Sequence, residues 1–393
     1  MKITHLNHSS VICESENQLL LTDPWLLSNA FQGWSQYPGP NIDTFKKILD
    51  SQDTPLTIVI SHAHDDHLDD FLLSHLKEKI NVAIPKTFNS GFKNRILKVG
   101  IKEKNIFEVD ENPFKIGDFI LSSIYDGALS KEDFIFLIAY KNSLFIHAND
   151  NWREYSHRTV KYILSFIANN DIRETIFASQ VGIADSFPLF YERIENENKK
   201  EFLIKKIRNM CESFKKNCSN LGLKNGYAYA NQSKFASLNQ LNNLNFDPYE
   251  LKNEILNEYK NDIKQLMPSD QIIKGQHKSF NKKYQTVLDY RLKILEKLFS
   301  EYSNKKKNKI LPVKFKSITK VKDHKDEVSL YASDTVWNNI LNGTTNLESI
   351  ITGGMGIIDK PNKYNMKEEY LLLSNWAYIY QIMARKNLNL NFL

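Results

Sequence analysis

The feature that most limits the fold of this chain is a group of histidines and aspartates directly after an apolar stretch. Residues 57–67 read Thr-Ile-Val-Ile-Ser-His-Ala-His-Asp-Asp-His. The apolar run predicts a buried strand, and the loop after a strand can turn closely spaced side chains onto one cation. Imidazole and carboxylate are the usual ligands of zinc, iron and manganese. The spacing therefore predicts a metal site, rather than a solvated loop, formed by His62, His64, Asp66 and His67.

Strands dominate the first half of the chain. Short apolar runs that predict strands lie at 19–21, 57–60, 81–84, 119–124, 134–140, 143–147 and 175–179. Helical patterns lie at 44–49, 71–76 and 160–168. This alternation predicts a strand-rich core with helices between the strands.

The pattern changes near residue 194. Residues 195–216, 248–266 and 284–298 are charged and carry apolar residues at helical spacing, and residues 327–331 predict a further strand. We therefore expect three regions: a metal-binding core at 1–193, a helical region at 194–310, and a C-terminal α+β region at 311–393.

Charge and cysteine usage narrow the function classes. Lys and Arg number 52 against 46 Asp and Glu, a formal charge of +6 spread along the chain. Such a mild excess suits an anionic small molecule as well as nucleic acid, so the charge alone does not choose between them. We expect a small anionic substrate and no nucleic-acid partner. The three cysteines form no Cys-x-x-Cys pair, which predicts free thiols in a reducing cytoplasm. No signal peptide or long apolar segment is visible, so we expect no membrane anchor.

The metal motif resembles that of the metallo-β-lactamase superfamily. Several further stretches resemble the catalytic part of the CMP-N-acetylneuraminate hydroxylase family, namely 21–26, 30–34, 125–127 before 132–133, 149–150, 184–189, 342–348 and 359–365. The resemblance implies an α+β fold, an αββα metallo-β-lactamase sandwich with a helical insertion and a small C-terminal α+β element. It also implies a nucleotide-linked or other anionic sugar as the substrate.

The later ligands depart from the pattern of ordinary hydrolases of that superfamily. Asp126 stands roughly where a third histidine is expected, Asp150 matches the bridging aspartate, and no later histidine has a strand-end context. Both aspartates also suit a turn, since each has Gly or Asn beside it. With both as ligands the site is rich in carboxylate, which suits iron, favoured as a pair, with zinc as the alternative.

Other residues beside the motif have two interpretations each. His8 suits either a catalytic role beside Asp66 or a structural role, and Asp23 suits either orientation of a metal-bound histidine or a turn. His147 is more typical of a strand histidine whose ring is hydrogen-bonded within the core than of a metal ligand. The predicted substrate contacts, for which core packing is the alternative, are Trp25, Trp34, Asp185 and Tyr229.

Three functions remain open from the sequence. The resemblance implies an iron-dependent oxygenase, and because no cysteine lies in a Cys-x-His pair the electrons would come from a separate protein. The second is a hydrolase in which Asp66 positions a metal-bound hydroxide. The third is a binding protein that keeps the fold without turnover.

Overall fold

The structure is a computed structural model. It describes residues 1–279 except 28, 32, 38, 41–43, 46–55, 79, 88–89, 127–132, 184–186, 192, 231–232 and 236–243, together with 329–332, 336–337, 349 and 352–359. The predicted helix at 284–298 lies outside these residues, and so do residues 46–49 of the helix predicted at 44–49. Within them, no helix combines the length and the apolar character that a bilayer crossing requires.

The elements follow the predicted alternation through the first half. In chain order the strands are β1 Lys2–Asn7, β2 Ser10–Glu14, β3 Leu19–Thr22, β4 Trp34–Gln36, β5 Leu56–Val59, β6 Ile80–Pro85, β7 Ile106–Val109, β8 Phe114–Ile116, β9 Phe119–Tyr125, β10 Phe134–Tyr140, β11 Ser143–His147, β12 Glu174–Gln180, β13 Gly226–Tyr229, β14 Ser233–Phe235, β15 Ile263–Gln265, β16 Gln271–Ile273, β17 Gln276–Lys278, β18 Ser329–Ala332 and β19 Gly356–Asp359. The helices are α1 Asp70–Leu76, α2 Gly91–Val99, α3 His157–Asn169, α4 Asn196–Asn220 and α5 Pro248–Glu258.

Two large mixed sheets form the centre of the described chain. The first has the order β17-β16-β1-β2-β3-β5-β6-β7, and the second has the order β15-β13-β12-β11-β10-β9-β8. Strands β3, β5, β6 and β7 are parallel, and β11, β12, β13 and β15 are parallel in the other sheet. Loops after the strands of both sheets can therefore meet at one edge.

The packing gives four layers. Side chains alternate between the two faces of a strand, and in both sheets the side chains on either face are buried. Val59 and Phe145 belong to an apolar cluster between the two sheets, whereas Ile58 packs with helices α1 and α2 and Ile146 packs with α3, α4 and α5. The order is therefore helices, sheet, sheet, helices, and the αββα sandwich expected from the sequence is confirmed.

The region after residue 194 differs from the helical expectation. Helix α5 ends at Glu258, and Ile263–Gln265 is a strand, so the helix predicted through residue 266 was wrong at its end. Strands β13 and β15 extend the second sheet, and β16 and β17 extend the first. These strands have three or four residues each, too few for an alternating pattern to be visible in the sequence.

Candidate metal centre

The predicted metal motif forms the loop between β5 and α1. The strand is buried between parallel neighbours, and the loop ends where Asp69 caps α1 by accepting a hydrogen bond at 3.0 Å from the backbone N of Leu72. The other carboxylate oxygen of Asp69 accepts from the backbone N atoms of Leu26 and Leu27, at 3.1 and 2.7 Å. The loop is thus fixed at its helical end and against the turn that follows β3.

Side chains from this loop and from other strand ends form three overlapping groups of metal-ligand type. Within each group one donor atom per residue lies within 4.8 Å of the others. The groups are His8 with Asp66 and His67, His62 with His67 and Asp150, and His62 with His64 and Asp133. Four predicted ligands of the motif and Asp150 are therefore brought together, and His8 and Asp133 join them.

The donor atoms of these groups suit a cation. Among the described residues, several buried atoms here have no hydrogen-bond partner: Oδ1 of Asp66, Asp133 and Asp150, Nε2 of His67, and Nδ1 of His8. A buried polar atom without a partner costs free energy, so such a concentration calls for a group that is bound there. Imidazole nitrogen and carboxylate oxygen fit zinc, iron or manganese.

Asp23 lies behind the histidines and organises them. Its Oδ2 accepts hydrogen bonds from Nδ1 of His67 at 2.8 Å, Nε2 of His147 at 2.7 Å and the hydroxyl of Ser61 at 2.7 Å. Its Oδ1 accepts from the backbone N of Ser61 at 2.7 Å. Of its two predicted roles, the structure gives Asp23 the orientation of a histidine, because binding at Nδ1 leaves Nε2 of His67 to face a metal.

Ser61 extends this network to a second histidine. Its oxygen lies 3.0 Å from Nδ1 of His62, so the hydroxyl can accept from that ring while it donates to Asp23. Nε2 of His62 then faces Nδ1 of His64 at 2.9 Å. In both buried histidines of the motif, His62 and His67, Nδ1 is therefore hydrogen-bonded and Nε2 faces the other donor atoms.

Electrostatics at the centre favour positive charge. Burial opposes ionisation of Asp23, but His147 and His67 outweigh it and hold the pKa of Asp23 below its usual range. Burial also opposes a charged His67, yet Asp150, Asp66 and Asp23 raise the pKa of its imidazole. The pKa of His62 is lowered by burial, by His67 and by His64. A metal cation would supply the positive charge that these carboxylates attract.

Asp133 and Asp150 are held side by side by strands β10 and β11. These strands are antiparallel, with Phe136 opposite His147, so the start of one meets the end of the other. The side-chain amide of Asn149 donates to the carbonyl of Phe134, and that of Asn151 donates to the carbonyl of Asp133 at 2.6 Å. Asp133 was not among the predicted ligands, although its place directly before a buried strand at the same edge was a usable signal.

Asp126 lies outside the three groups. Its carboxylate accepts hydrogen bonds from the backbone N of Ser156 at 3.0 Å and from the hydroxyl of Thr159 at 2.6 Å, at the start of α3. Ser156 is the N-cap of that helix. The predicted metal ligand Asp126 therefore lies at a helix start, and the carboxylate from the other end of the same loop, Asp133, lies with His62 and His64.

His8 reaches the centre from a tight turn between β1 and β2. Asn7 pairs with Ser10, so His8 and Ser9 form the loop, and His8 has the unusual φ of 48°. Nε2 of His8 lies 3.2 Å from Oδ2 of Asp66, and Ser9 lies 3.1 Å from Nδ1 of His67. The two residues predicted as catalytic, His8 and Asp66, are therefore neighbours.

The predicted substrate contacts are placed differently from the expectation. Trp25 is buried with its ring 5.1 Å from that of His8, and the buried Trp34 donates from Nε1 to the carbonyl of Thr352 at 2.9 Å. Tyr229 is buried behind the centre, where its hydroxyl lies 2.6 Å from Nδ1 of His147. All three side chains are buried in the structure, which favours the packing alternative over substrate contact. Asp185 lies outside the described residues.

Comparisons with known proteins bear on the first half of the chain. Residues 2–150 match the family model described as Beta-lactamase superfamily domain. Two curated relatives are named cytidine monophosphate-N-acetylneuraminic acid hydroxylase. The protein from Xenopus laevis is 29% identical over 163 residues, which is 38% of this chain and 26% of that protein. The protein from Danio rerio is 25% identical over 197 residues, which is 48% of this chain and 30% of that protein. The matched part thus spans less than a third of either relative.

Two solved structures are distant neighbours. CmlA, a diiron β-hydroxylase from Streptomyces venezuelae, is 15% identical with a TM-score of 0.45, covering 71% of this chain and 54% of that chain. Igni18, a metallo hydrolase from Ignicoccus hospitalis, is 15% identical with a TM-score of 0.41, covering 71% and 99%. The matched family model, the αββα layers and the donor groups at the strand ends are all consistent with the same type of fold. Residues 2–150 therefore resemble a beta-lactamase superfamily domain, and the described chain has the αββα layers expected for it.

Proposed function

We propose that this protein is a metal-dependent oxidoreductase that hydroxylates an anionic, nucleotide-linked sugar derivative. The metal is iron, held as a pair, and the electrons come from a separate donor protein. The observation that carries the proposal is the donor set, which combines four histidines with three aspartates, namely His8, His62, His64, His67, Asp66, Asp133 and Asp150. A set that mixes carboxylate with imidazole suits iron as well as zinc.

The overlap of the groups supports a pair of ions. His62 belongs to the group with His64 and Asp133 and also to the group with His67 and Asp150. Nε2 of His62 lies 3.7 Å from Asp133 and 3.8 Å from Asp150, between the two carboxylates. Two cations could therefore be held by neighbouring residues of one continuous cluster.

The proposed hydroxylation needs dioxygen and a source of two electrons. The substrate C–H bond and one dioxygen molecule, with two electrons and two protons, give a C–OH group and one water. An iron pair held by these residues would supply the redox chemistry that reduces dioxygen. The residues of the chain position the metal and handle protons: Asp66 accepts or holds a proton, and His8, at 3.2 Å, relays it.

The substrate class rests on the curated relatives. Their shared name, cytidine monophosphate-N-acetylneuraminic acid hydroxylase, suggests a cytidine monophosphate sugar as the first compound to test. The mild excess of Lys and Arg over Asp and Glu is compatible with an anionic molecule.

A metal-dependent hydrolase is the second candidate function. The buried Asp66, with Oδ1 free of hydrogen bonds, suits a carboxylate that orients or deprotonates a water molecule. The same donor types bind zinc, which would polarise a carbonyl or phosphoryl group without any redox step.

Metal analysis combined with oxygen uptake tests the two candidates. We expect protein purified without added metal to contain iron and to consume oxygen when supplied with a reductant and cytidine monophosphate N-acetylneuraminic acid. His64→Ala should lose metal and activity, whereas His75→Ala, at an exposed histidine of α1, should keep both. Zinc in the purified protein, with turnover under strict anaerobiosis, would support the hydrolase and exclude the oxygenase. A chain that binds no metal would contradict both.

A further inference from the structure

The metal loop contains two residues, Ala63 and Asp65, that alternate with the proposed ligands. They are not members of any of the three donor groups in the described chain. Both are instead bound by Arg95, which lies in the middle of α2. The two residues on either side of His64 are therefore bound from the side of α2.

The guanidinium of Arg95 makes three kinds of contact with this part of the chain. NH1 donates to the carbonyl oxygen of Ala63, and NH2 donates to Oδ1 of Asp65 at 3.0 Å. NH2 and Nε also donate to the carboxylate of Asp70, at 3.0 and 3.2 Å. One planar group therefore binds the backbone between His62 and His64 and a carboxylate on either side of His67.

Asp65 carries this restraint further. Its second oxygen, Oδ2, accepts a hydrogen bond at 3.3 Å from the backbone N of Phe31. The ring of Phe31 lies edge-on to that of His64, with the centroids 5.9 Å apart. The side chain of Asp65 thus links Arg95 to an aromatic residue that limits where the His64 ring can lie.

We propose that Arg95 is a positioning residue of the metal centre, which acts through Ala63 and Asp65 to hold His62 and His64 in place as ligands. The proposal rests on the metal site of the proposed function. The fixed fork of a guanidinium can bind a carbonyl and two carboxylates at once, a geometry that an ammonium group cannot reproduce.

The burial of Arg95 distinguishes this contact from an ordinary surface ion pair. The Arg95 side chain is 21% exposed, whereas Arg158, which pairs with Glu111, is 62% exposed. Exposed pairs contribute little, because water and salt screen them. Arg158 is therefore a matched control: an arginine on a helix with one carboxylate partner and no contact with the loop.

The test is the affinity of the chelator-treated protein for Fe(II), measured anaerobically by competition with a chromogenic chelator. We expect Arg95→Lys, Arg95→Ala and Asp65→Asn each to weaken binding about 10–100-fold, the range typical of groups that orient metal ligands. Arg158→Ala should stay within about twofold of the wild type, because its exposed pair contributes little.

A second readout separates positioning from a general loss of stability. The visible spectrum of the Co(II)-substituted protein reports ligand geometry, and it should differ between the wild type and Arg95→Lys. If Arg95→Ala fails to fold, Arg95→Lys and Asp65→Asn carry the test. Wild-type affinity and an unchanged spectrum in Arg95→Lys would overturn this inference alone. A wild-type protein that binds no iron would overturn the proposed function together with it.

Discussion

Nδ1 of His67 donates to Oδ2 of Asp23 at 2.8 Å, and this bond decides which nitrogen of His67 faces the metal centre. The carboxylate can only accept, so the proton is on Nδ1 and Nε2 faces Asp66 and Asp150, at 3.5 and 3.4 Å. Asp23 holds His147 and Ser61 in the same way. The buried carboxylate of Asp23 thus fixes the positions of His67, His147 and Ser61.

Asp23→Asn tests this arrangement. The variant keeps the size of the side chain but loses its charge, and its amide NH₂ would face groups that are themselves donors. We expect the free energy of unfolding to fall by at least about 2 kcal/mol in denaturant titration, since hydrogen bonds to charged groups are among the stronger ones. Metal affinity should fall about 10–100-fold, as for other partners of metal-bound histidines.

Asp118→Asn is the matched control for Asp23→Asn. Asp118 also accepts several hydrogen bonds, from Ser15 at 2.7 Å and from the backbone N of Asn17 at 3.3 Å, but it lies at the surface. Its replacement should cost less than about 1 kcal/mol and leave metal affinity unchanged. Equal losses in the two variants would mean that Asp23 has no special connection to the centre.

Tyr229→Phe tests whether Tyr229 supports the centre from behind. Burial raises the pKa of its hydroxyl, which therefore stays protonated, donates to Nδ1 of His147 and accepts from the backbone N of Asn149 at 2.9 Å. Loss of the hydroxyl leaves both groups without this partner, so stability should fall by about 1–3 kcal/mol. Under turnover KM should not change. A selective rise in KM with wild-type stability would restore Tyr229 as a substrate contact.

Much of the fold could be predicted because its signals are local. The apolar runs at 134–140 and 143–147 were predicted with the observed bounds, and the metal motif follows its strand directly. The burial of Trp34 could not be predicted in this way. The hydrogen-bond partner of its Nε1 is the carbonyl of Thr352, which lies more than 300 residues later in the chain. Periodicity in a sequence carries no information about such distant partners.

The choice between Asp126 and Asp133 shows the same limit within the site. Tyr125 pairs with Phe134, so the two aspartates are the next residues on neighbouring strands and lie at one edge. The sequence therefore predicts a carboxylate at this edge. Asp126 binds Ser156 and Thr159 at the start of α3, and this leaves Asp133 to face His62. The sequence alone does not show that α3 begins beside Asp126.

Asp126→Ala should consequently affect stability and leave metal binding unchanged. The start of α3 loses three hydrogen bonds, from the backbone N and the hydroxyl of Ser156 and from the hydroxyl of Thr159. The expected cost is about 1 kcal/mol, typical of a lost helix cap. Denaturant titration measures the loss, and metal analysis of the same preparation should match the wild type. Wild-type stability with reduced metal content would contradict the helix-start role.

Gly33→Ala tests the packing of Gly353 against the turn that carries Phe31 and Trp34. A Cβ at Gly33 would lie 1.8 Å from the carbonyl oxygen of Gly353, so the two backbones would have to separate. We expect a loss of about 1–3 kcal/mol in denaturant titration, together with faster proteolysis near residue 352. Gly222→Ala, where a Cβ meets nothing within 4 Å, should cost only the backbone strain of its φ of 71°. A Gly33→Ala variant no less stable than Gly222→Ala would contradict the close approach.

We propose six ligands for the metal: His62, His64, Asp66, His67, Asp133 and Asp150. The most direct test is the metal content per chain of the wild type, Asp133→Ala and Asp126→Ala, purified in parallel without added metal. We predict about two irons in the wild type and in Asp126→Ala, and a loss of about one in Asp133→Ala, because a carboxylate-rich site with overlapping groups suits an iron pair. Full metal content in Asp133→Ala, with loss in Asp126→Ala, would contradict this assignment.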